Sequence, residues 1–358
     1  MPLSKASASF PAALLGDNWQ VTRWAHRPLL LMWRRLKRYN SDVKSRRAIL
    51  PETERRNPRS AGLDRKSTIE VLRILNREDA SVPRAVAREL PAIARAVDKI
   101  VRAFRSGGRL IYVGAGSSGR MGALDAAECP PTFGVPETQV QAILAGGLRA
   151  MTHAVEGAED SPRDGARQIA ARRVGPNDVV VGIAAAGTTP FTLGALRESR
   201  RRGATTVALT ANRRTPIARL ADIVIAPATG PEVIAGSTRL KAGTAQKLVL
   251  NMLSTAAMVR MGFVFDNLMI NVSLTNEKLR HRAVRIIESA SGIRTSSVQH
   301  AVRQAGHDLR AALVMLKAGV DAQQARWLLA ASKGNLREAI ATGLRLPRTK
   351  DGAHSNRL

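Results

Sequence analysis

Apolar residues recur every three or four positions through Val86, Leu90, Ile93, Val97, Ile100 and Phe104, the spacing of an amphipathic helix with one buried face. The pattern then changes. Leu110-Ile111-Tyr112-Val113 is an unbroken apolar run with the length and β-rich character of a strand buried on both faces. Runs of the same kind return at 140–144, 178–185, 204–210 and 223–226. Helical stretches are expected between them: from Ala123 to Pro130-Pro131, through 150–155, and from Pro190 to about Arg202. Strands alternating with helices at this spacing, without hairpin turns, predict an α/β fold whose parallel sheet is sandwiched by helices. Upstream, 53–64 reads as a loop, Ser67-Thr68-Ile69-Glu70 has the spacing of a capping box, and 76–82 reads as a polar break. Downstream, Leu248, Val249, Met252, Leu253 and Ala256 line a long helix. A mixed stretch follows over 267–276, then a helix over 277–289 and short helical patterns at 309–316, 322–331 and 336–340. The expected organisation is a disordered extension over 1–50, an α/β domain with N-terminal helices over 51–290, a small helical domain over 291–345 and a loose tail over 346–358.

Charge alters this picture more than composition does. Lys and Arg number 56 against 28 Asp and Glu, a net charge of +28, which by itself points to a polyanionic partner. The basic residues are scattered, however, and 45 of them are arginine, so a compositional bias accounts for them over the body of the chain. Residues 1–50 hold ten basic and two acidic side chains with Trp19, Trp24 and Trp33. That leaves contact with nucleic acid or anionic lipid open there, although a plain extension is the favoured reading and nucleic acid is not the expected partner. No apolar run approaches a membrane span, and the single cysteine, Cys129, excludes an internal disulfide and fits a reducing cytoplasm.

Candidate chemistry gathers where the first strand ends. Gly114, Gly116 and Gly119 form a strand-to-helix turn with Ser117, Ser118 and Arg120, and the free amides of a helix N-terminus favour phosphate. The glycines match the dinucleotide fingerprint, but the next strand ends in Ala145-Gly146-Gly147 with no ribose-binding acid, so a phosphosugar fits better than a nicotinamide. Ala186-Gly187-Thr188-Thr189 stands at the same place after its own strand, and the two turns could share one phosphate. Glu128 is either a solvated charge at the helix end or a catalytic carboxyl. Glu159 lies in an acidic patch that stands out in so basic a chain. His153, Glu156 and Glu159 have near-metal spacing, but Gly157 breaks the helix that would align them, so no metal is expected. Cys129 reads as a small buried thiol rather than a nucleophile.

Taken in order, GAGSSGR, DAAECPPTFG, HAVEGAEDS, DVVVGIAAAGTTPF, GSTRLKAGTAQKLVLNMLST and NEKLRHRAV closely resemble the N-acetylmuramic acid 6-phosphate etherases, from about Thr53 to Ala341. That resemblance implies a sugar isomerase-type fold and a cytoplasmic, cofactor-free homodimeric lyase of cell-wall recycling. The reaction implied is release of D-lactate from N-acetylmuramic acid 6-phosphate, giving N-acetylglucosamine 6-phosphate. It implies Glu128 as proton donor and Glu159 as second acid/base. The phosphorylated amino sugar would lie on Gly116, Ser117, Ser118, Gly119 and Arg120, with Thr188, Thr189, Ser237, Thr238 and Lys241. The family's third-strand turn usually reads Ser-Gly-Arg-Thr-Pro-Tyr; Ala186 and Thr188 here remove a hydroxyl and a guanidinium, and losing a charge-assisted hydrogen bond costs about 1.5–3 kcal/mol. Two rivals share the fold: a phosphosugar-sensing regulator, which needs no carboxylate pair, and a phosphosugar isomerase, which releases no lactate.

Overall fold

The computed structural model describes residues 51–271 and 277–346, without the side chains of 277–280. The extension expected over 1–50 and the tail from 347 lie outside the described residues. Five strands, β1 (Leu110–Gly114), β2 (Val140–Leu144), β3 (Val179–Ile183), β4 (Thr205–Leu209) and β5 (Ile223–Ile225), form one parallel sheet in the order β2-β1-β3-β4-β5. Alternate residues of each strand face opposite layers, as the pleat requires. Leu110, Tyr112, Val181 and Leu209 join a core with helices α3 (Leu90–Arg105) and α8 (Lys241–Arg260). Ile111, Val113, Val180 and Ala208 join another with α5 (Pro162–Ala171), α6 (Pro190–Arg201) and α7 (Pro216–Leu220). Burial on both faces is why the strands read as continuous apolar runs.

Ahead of the sheet, three 3-10 turns at Glu52–Glu54, Pro58–Ser60 and Leu63–Arg65 lead into α1 (Thr68–Asp79), whose capping box pairs Ser67 with Glu70. The polar break expected over 76–82 shrinks to Ala80 and Ser81, because α1 keeps its backbone ladder to Asp79. The periodic run that follows is two helices, α2 (Val82–Ala87) and α3, since Pro91 has no N–H to continue a helix and restrains the residue before it. Helix α4 (Gly116–Phe133) starts earlier and ends later than expected: Pro130 and Pro131 lie inside it, and Gly134, at φ +61°, closes it. The stretch 150–155 is not a helix; a 3-10 turn at Leu148–Met151 lies between Gly147 and Gly157, both at positive φ. The pattern missed α5, in which Ile169 is the only large apolar residue.

Beyond α8, a hairpin of β6 (Val264–Phe265) and β7 (Leu268–Met269) precedes α9 (Glu277–Ser291), α10 (Thr295–Gln304), α11 (Leu309–Ala318), α12 (Ala322–Ala331) and α13 (Leu336–Gly343). Ala283, Ile286, Ile287 and Ala290 of α9 share a core with Leu313, Leu328 and Leu336. Among the described residues no helix is long and apolar enough to cross a membrane.

Candidate active site

The sheet order reverses at β1, which has β2 on one side and β3 on the other. In open parallel sheets the crevice beyond the strands' carboxyl ends at such a point is where ligands bind. Gly114 and Ile183 are register partners, so the turns leaving β1 and β3 stand side by side there. The two Gly- and hydroxyl-rich motifs of the sequence are thereby brought together.

At the first turn the backbone needs its glycines. A Cβ on Gly119 would strike the Gly114 carbonyl and the Leu144 side chain, so this glycine lets α4 pack directly on the strand. Gly116 adopts φ +51° with open space around it. Ala115 at the N-cap offers no side-chain oxygen, which leaves the first-turn amides available to an anion. Ser117 and Ser118 are half-buried beside them. At the second turn, Gly187 (φ +74°) packs under Thr215, Thr188 is exposed, and Thr189 occupies the N-cap of α6 without using its hydroxyl as a cap. Half-buried Ala186 brings no hydroxyl to the turn, while exposed Thr188 brings one hydroxyl and no charge.

Arg120 is engaged elsewhere than expected. Its Nε donates to the Ala150 carbonyl at 2.8 Å and Nη2 to that of His153 at 3.0 Å, pinning the loop that carries Glu159 to the start of α4. Glu159 sits in a 3-10 turn, Ala158–Asp160, packed against α6. Glu128 lies on α4 eleven residues beyond Ser117, about 16 Å along the helix axis. Both carboxyls are exposed, and among the described residues neither has a hydrogen-bond or ion-pair partner.

Ser237 and Thr238 are half-buried in the loop before α8. Lys241, expected against the ligand, turns inward instead. It is 2 % exposed, and its ammonium meets Glu78 Oε2 at 2.6 Å. Asn57 and Arg59 also donate to Glu78. Burial alone would raise the Glu78 pKa; the hydrogen bonds from Lys241, Asn57 and Arg59 outweigh it and hold the carboxyl below its usual range. Glu232, fully buried, accepts from the amides of Lys241 and Ala242 and so caps α8; burial pushes its pKa up despite those amides. Residues 52–60 bind across this corner through Gly236 N–H to Thr53 O, Ser60 to the Val233 carbonyl and Glu52 N–H to Asn212.

Sequence reasoning missed Asp125. It is 6 % exposed and accepts from Tyr112 at 2.8 Å, Asn251 at 2.7 Å and Ser254 at 3.1 Å. A polar residue among the alanines of a buried helix face was the available signal. Burial, aided by the nearby Asp125 charge, pushes the Cys129 thiol up to about 12, which leaves it an inert neighbour of this network.

Residues 92–200 match the glucokinase regulatory protein N-terminal SIS domain, and residues 160–256 match the SIS domain itself. With the sheet order and the paired turns, these matches define a SIS-domain protein. The N-acetylmuramic acid 6-phosphate etherase of Symbiobacterium thermophilum is 56% identical over 268 residues, covering 75% of this chain and 89% of that one. Those of Serratia proteamaculans and Mesorhizobium japonicum are each 50% identical, covering 80% and 81% of this chain and 97% and 94% of theirs. The chain belongs to the N-acetylmuramic acid 6-phosphate etherase family.

Proposed function

We propose that this enzyme cleaves the D-lactyl ether of N-acetylmuramic acid 6-phosphate. One observation carries the reading: a family member bearing paired hydroxyl turns at the switch point has two exposed carboxyls on the elements flanking them, Glu128 and Glu159, without partners among the described residues. The phosphate lies at the amides of Gly116, Ser117 and Ser118 and the two serine hydroxyls, against the bare backbone of Gly119, with Thr188 and Thr189 across the crevice and Ser237 and Thr238 at its rim. Arg120 and Lys241 serve from behind, one holding the loop of Glu159 and the other the start of α8. The sugar runs along α4 toward Glu128.

The open-chain aldehyde acidifies the proton on C2. Glu159 removes it, the C3–O bond breaks with its electron pair going to the lactyl oxygen, and Glu128 protonates that oxygen as D-lactate leaves. Water then adds at C3 of the unsaturated aldehyde and a proton returns to C2, giving N-acetylglucosamine 6-phosphate. The enzyme is thus a carbon–oxygen lyase, acting as a cytoplasmic homodimer without a cofactor. Lactate release by purified protein tests this. Glu128→Gln and Glu159→Gln are each expected to lower kcat by about 10²–10⁴-fold, the usual weight of a general acid or base. Absence of lactate from folded wild-type protein that still binds the sugar phosphate would refute the reading.

A further inference from the structure

Asp125 sits on α4 three residues before Glu128, at the level where that helix is least able to hold itself. Pro130 and Pro131 have no N–H, so the carbonyls of Ala126 and Ala127, just before Glu128, lose their i+4 donors. Bonds to the neighbouring Asp125 brace the helix at this level. The Asp125 carboxylate accepts from Tyr112 on β1 through Oδ2 and from Asn251 and Ser254 on α8 through Oδ1, while its main-chain carbonyl accepts from Cys129 Sγ at 3.2 Å. Gly122, one turn earlier, lies so close to β1 that a Cβ there would stand 2.9 Å from that of Tyr112.

We propose that Asp125 is a positioning residue: it clamps the proline-weakened end of α4 onto β1 and α8 and so sets the direction in which Glu128 presents its carboxyl. The inference rests on the assignment of Glu128 as proton donor. Asp125 touches no substrate. It sits midway along α4, about 12 Å beyond Ser117 and one turn before Glu128, so its loss reaches the proton transfer and spares the anion grip.

The test removes one donor, Asn251, with Asp125 in place, and separately changes Asp125 itself. Asn251→Ala is expected to lower kcat on N-acetylmuramic acid 6-phosphate by about 10–100-fold, the scale of a sub-ångström to ångström misplacement, with KM changed less than about threefold. Asp125→Asn, which keeps shape and one acceptor oxygen, should retain more activity than Asp125→Ala. The decisive variant combines Asn251→Ala with Glu128→Gln. If the clamp works through Glu128, the pair is no slower than Glu128→Gln alone, because groups acting as one unit are not additive. Losses that multiply, or a lowered thermal midpoint with unchanged kcat, would overturn the inference while leaving the etherase reading intact. No lactate from wild type, or full activity in Glu128→Gln, would overturn the assignment of Glu128 and this inference with it.

Discussion

Gln246 shows at the scale of one residue how a fold carries a cost. It is 3 % exposed on α8, and among the described residues neither its amide nitrogen nor its oxygen has a partner. A buried polar group left unsatisfied costs about 1–3 kcal/mol. Gln246→Met keeps the length of the side chain and removes that penalty, so the urea midpoint should rise by the equivalent of about 1 kcal/mol or more. An unchanged or lower midpoint would show that the amide is satisfied in solution. Gly119 is the opposite case, a residue whose lack of a side chain is what the site requires. Its role was legible in the Gly-x-Gly-x-x-Gly spacing, whereas nothing local marks Gln246 as buried.

Among elements, the corner built from residues 52–60, α1 and the start of α8 has its centre in the Lys241–Glu78 pair, both side chains 3 % exposed. Removing one partner of a buried pair costs about 3–5 kcal/mol because it strands the other charge. Lys241→Met leaves Glu78 with only Asn57 and Arg59 and is therefore expected to lower stability toward the lower end of that scale, and Glu78→Leu added to it should recover part. Chemical denaturation of the single and double variants checks both outcomes. This corner was the least legible part of the sequence. The inner strands β1, β3 and β4 announced themselves because they are buried on both faces, and the two hydroxyl turns because they follow strands. The family resemblance put Lys241 among the ligand contacts; the side chain it meets is 163 residues away, and no local spacing encodes that. The helix expected over 150–155 failed for a different reason: the glycines flanking it, Gly147 and Gly157, occupy positive φ and set turns, which an apolar count does not weigh.

For the whole molecule, the titrating groups predict how stability follows pH. Hydrogen bonds from Arg201 and Arg202 bring Glu198 to about 2. Asp178 also falls below its usual value: burial opposes this, but bonds from Arg109 and Gly175 prevail, and Glu78 behaves likewise. An acid with a depressed folded pKa stabilises above its unfolded value and loses that contribution as pH falls toward the folded one. Stability should therefore decline below about pH 4.5, with Glu232, shifted the other way, offsetting part of the loss. On the alkaline side the thiol of Cys129 moves from 9.0 to about 12, and the Tyr112 phenol well above 10.0, through burial and the Asp125 charge. Folding then keeps protons that the unfolded chain releases, so stability falls as pH rises past 9. Urea midpoints from pH 3 to 11 should trace a plateau with two limbs, and Tyr112→Phe with Cys129→Ala should flatten the alkaline one. An alkaline limb that persists unchanged in that double variant would rule these two groups out as its source.

The corner around Glu78 also has a history within each copy of the chain. A ribosome delivers Glu78 long before Lys241, and domains assemble as units while synthesis proceeds from the N-terminus. Until 163 further residues have been made, the carboxylate has no ammonium to meet, and residues 52–60 have no Val233 or Gly236 to bind. The first segment of the described fold to be translated is therefore among the last to settle, and a nascent chain stopped anywhere short of α8 carries an open N-terminal flank.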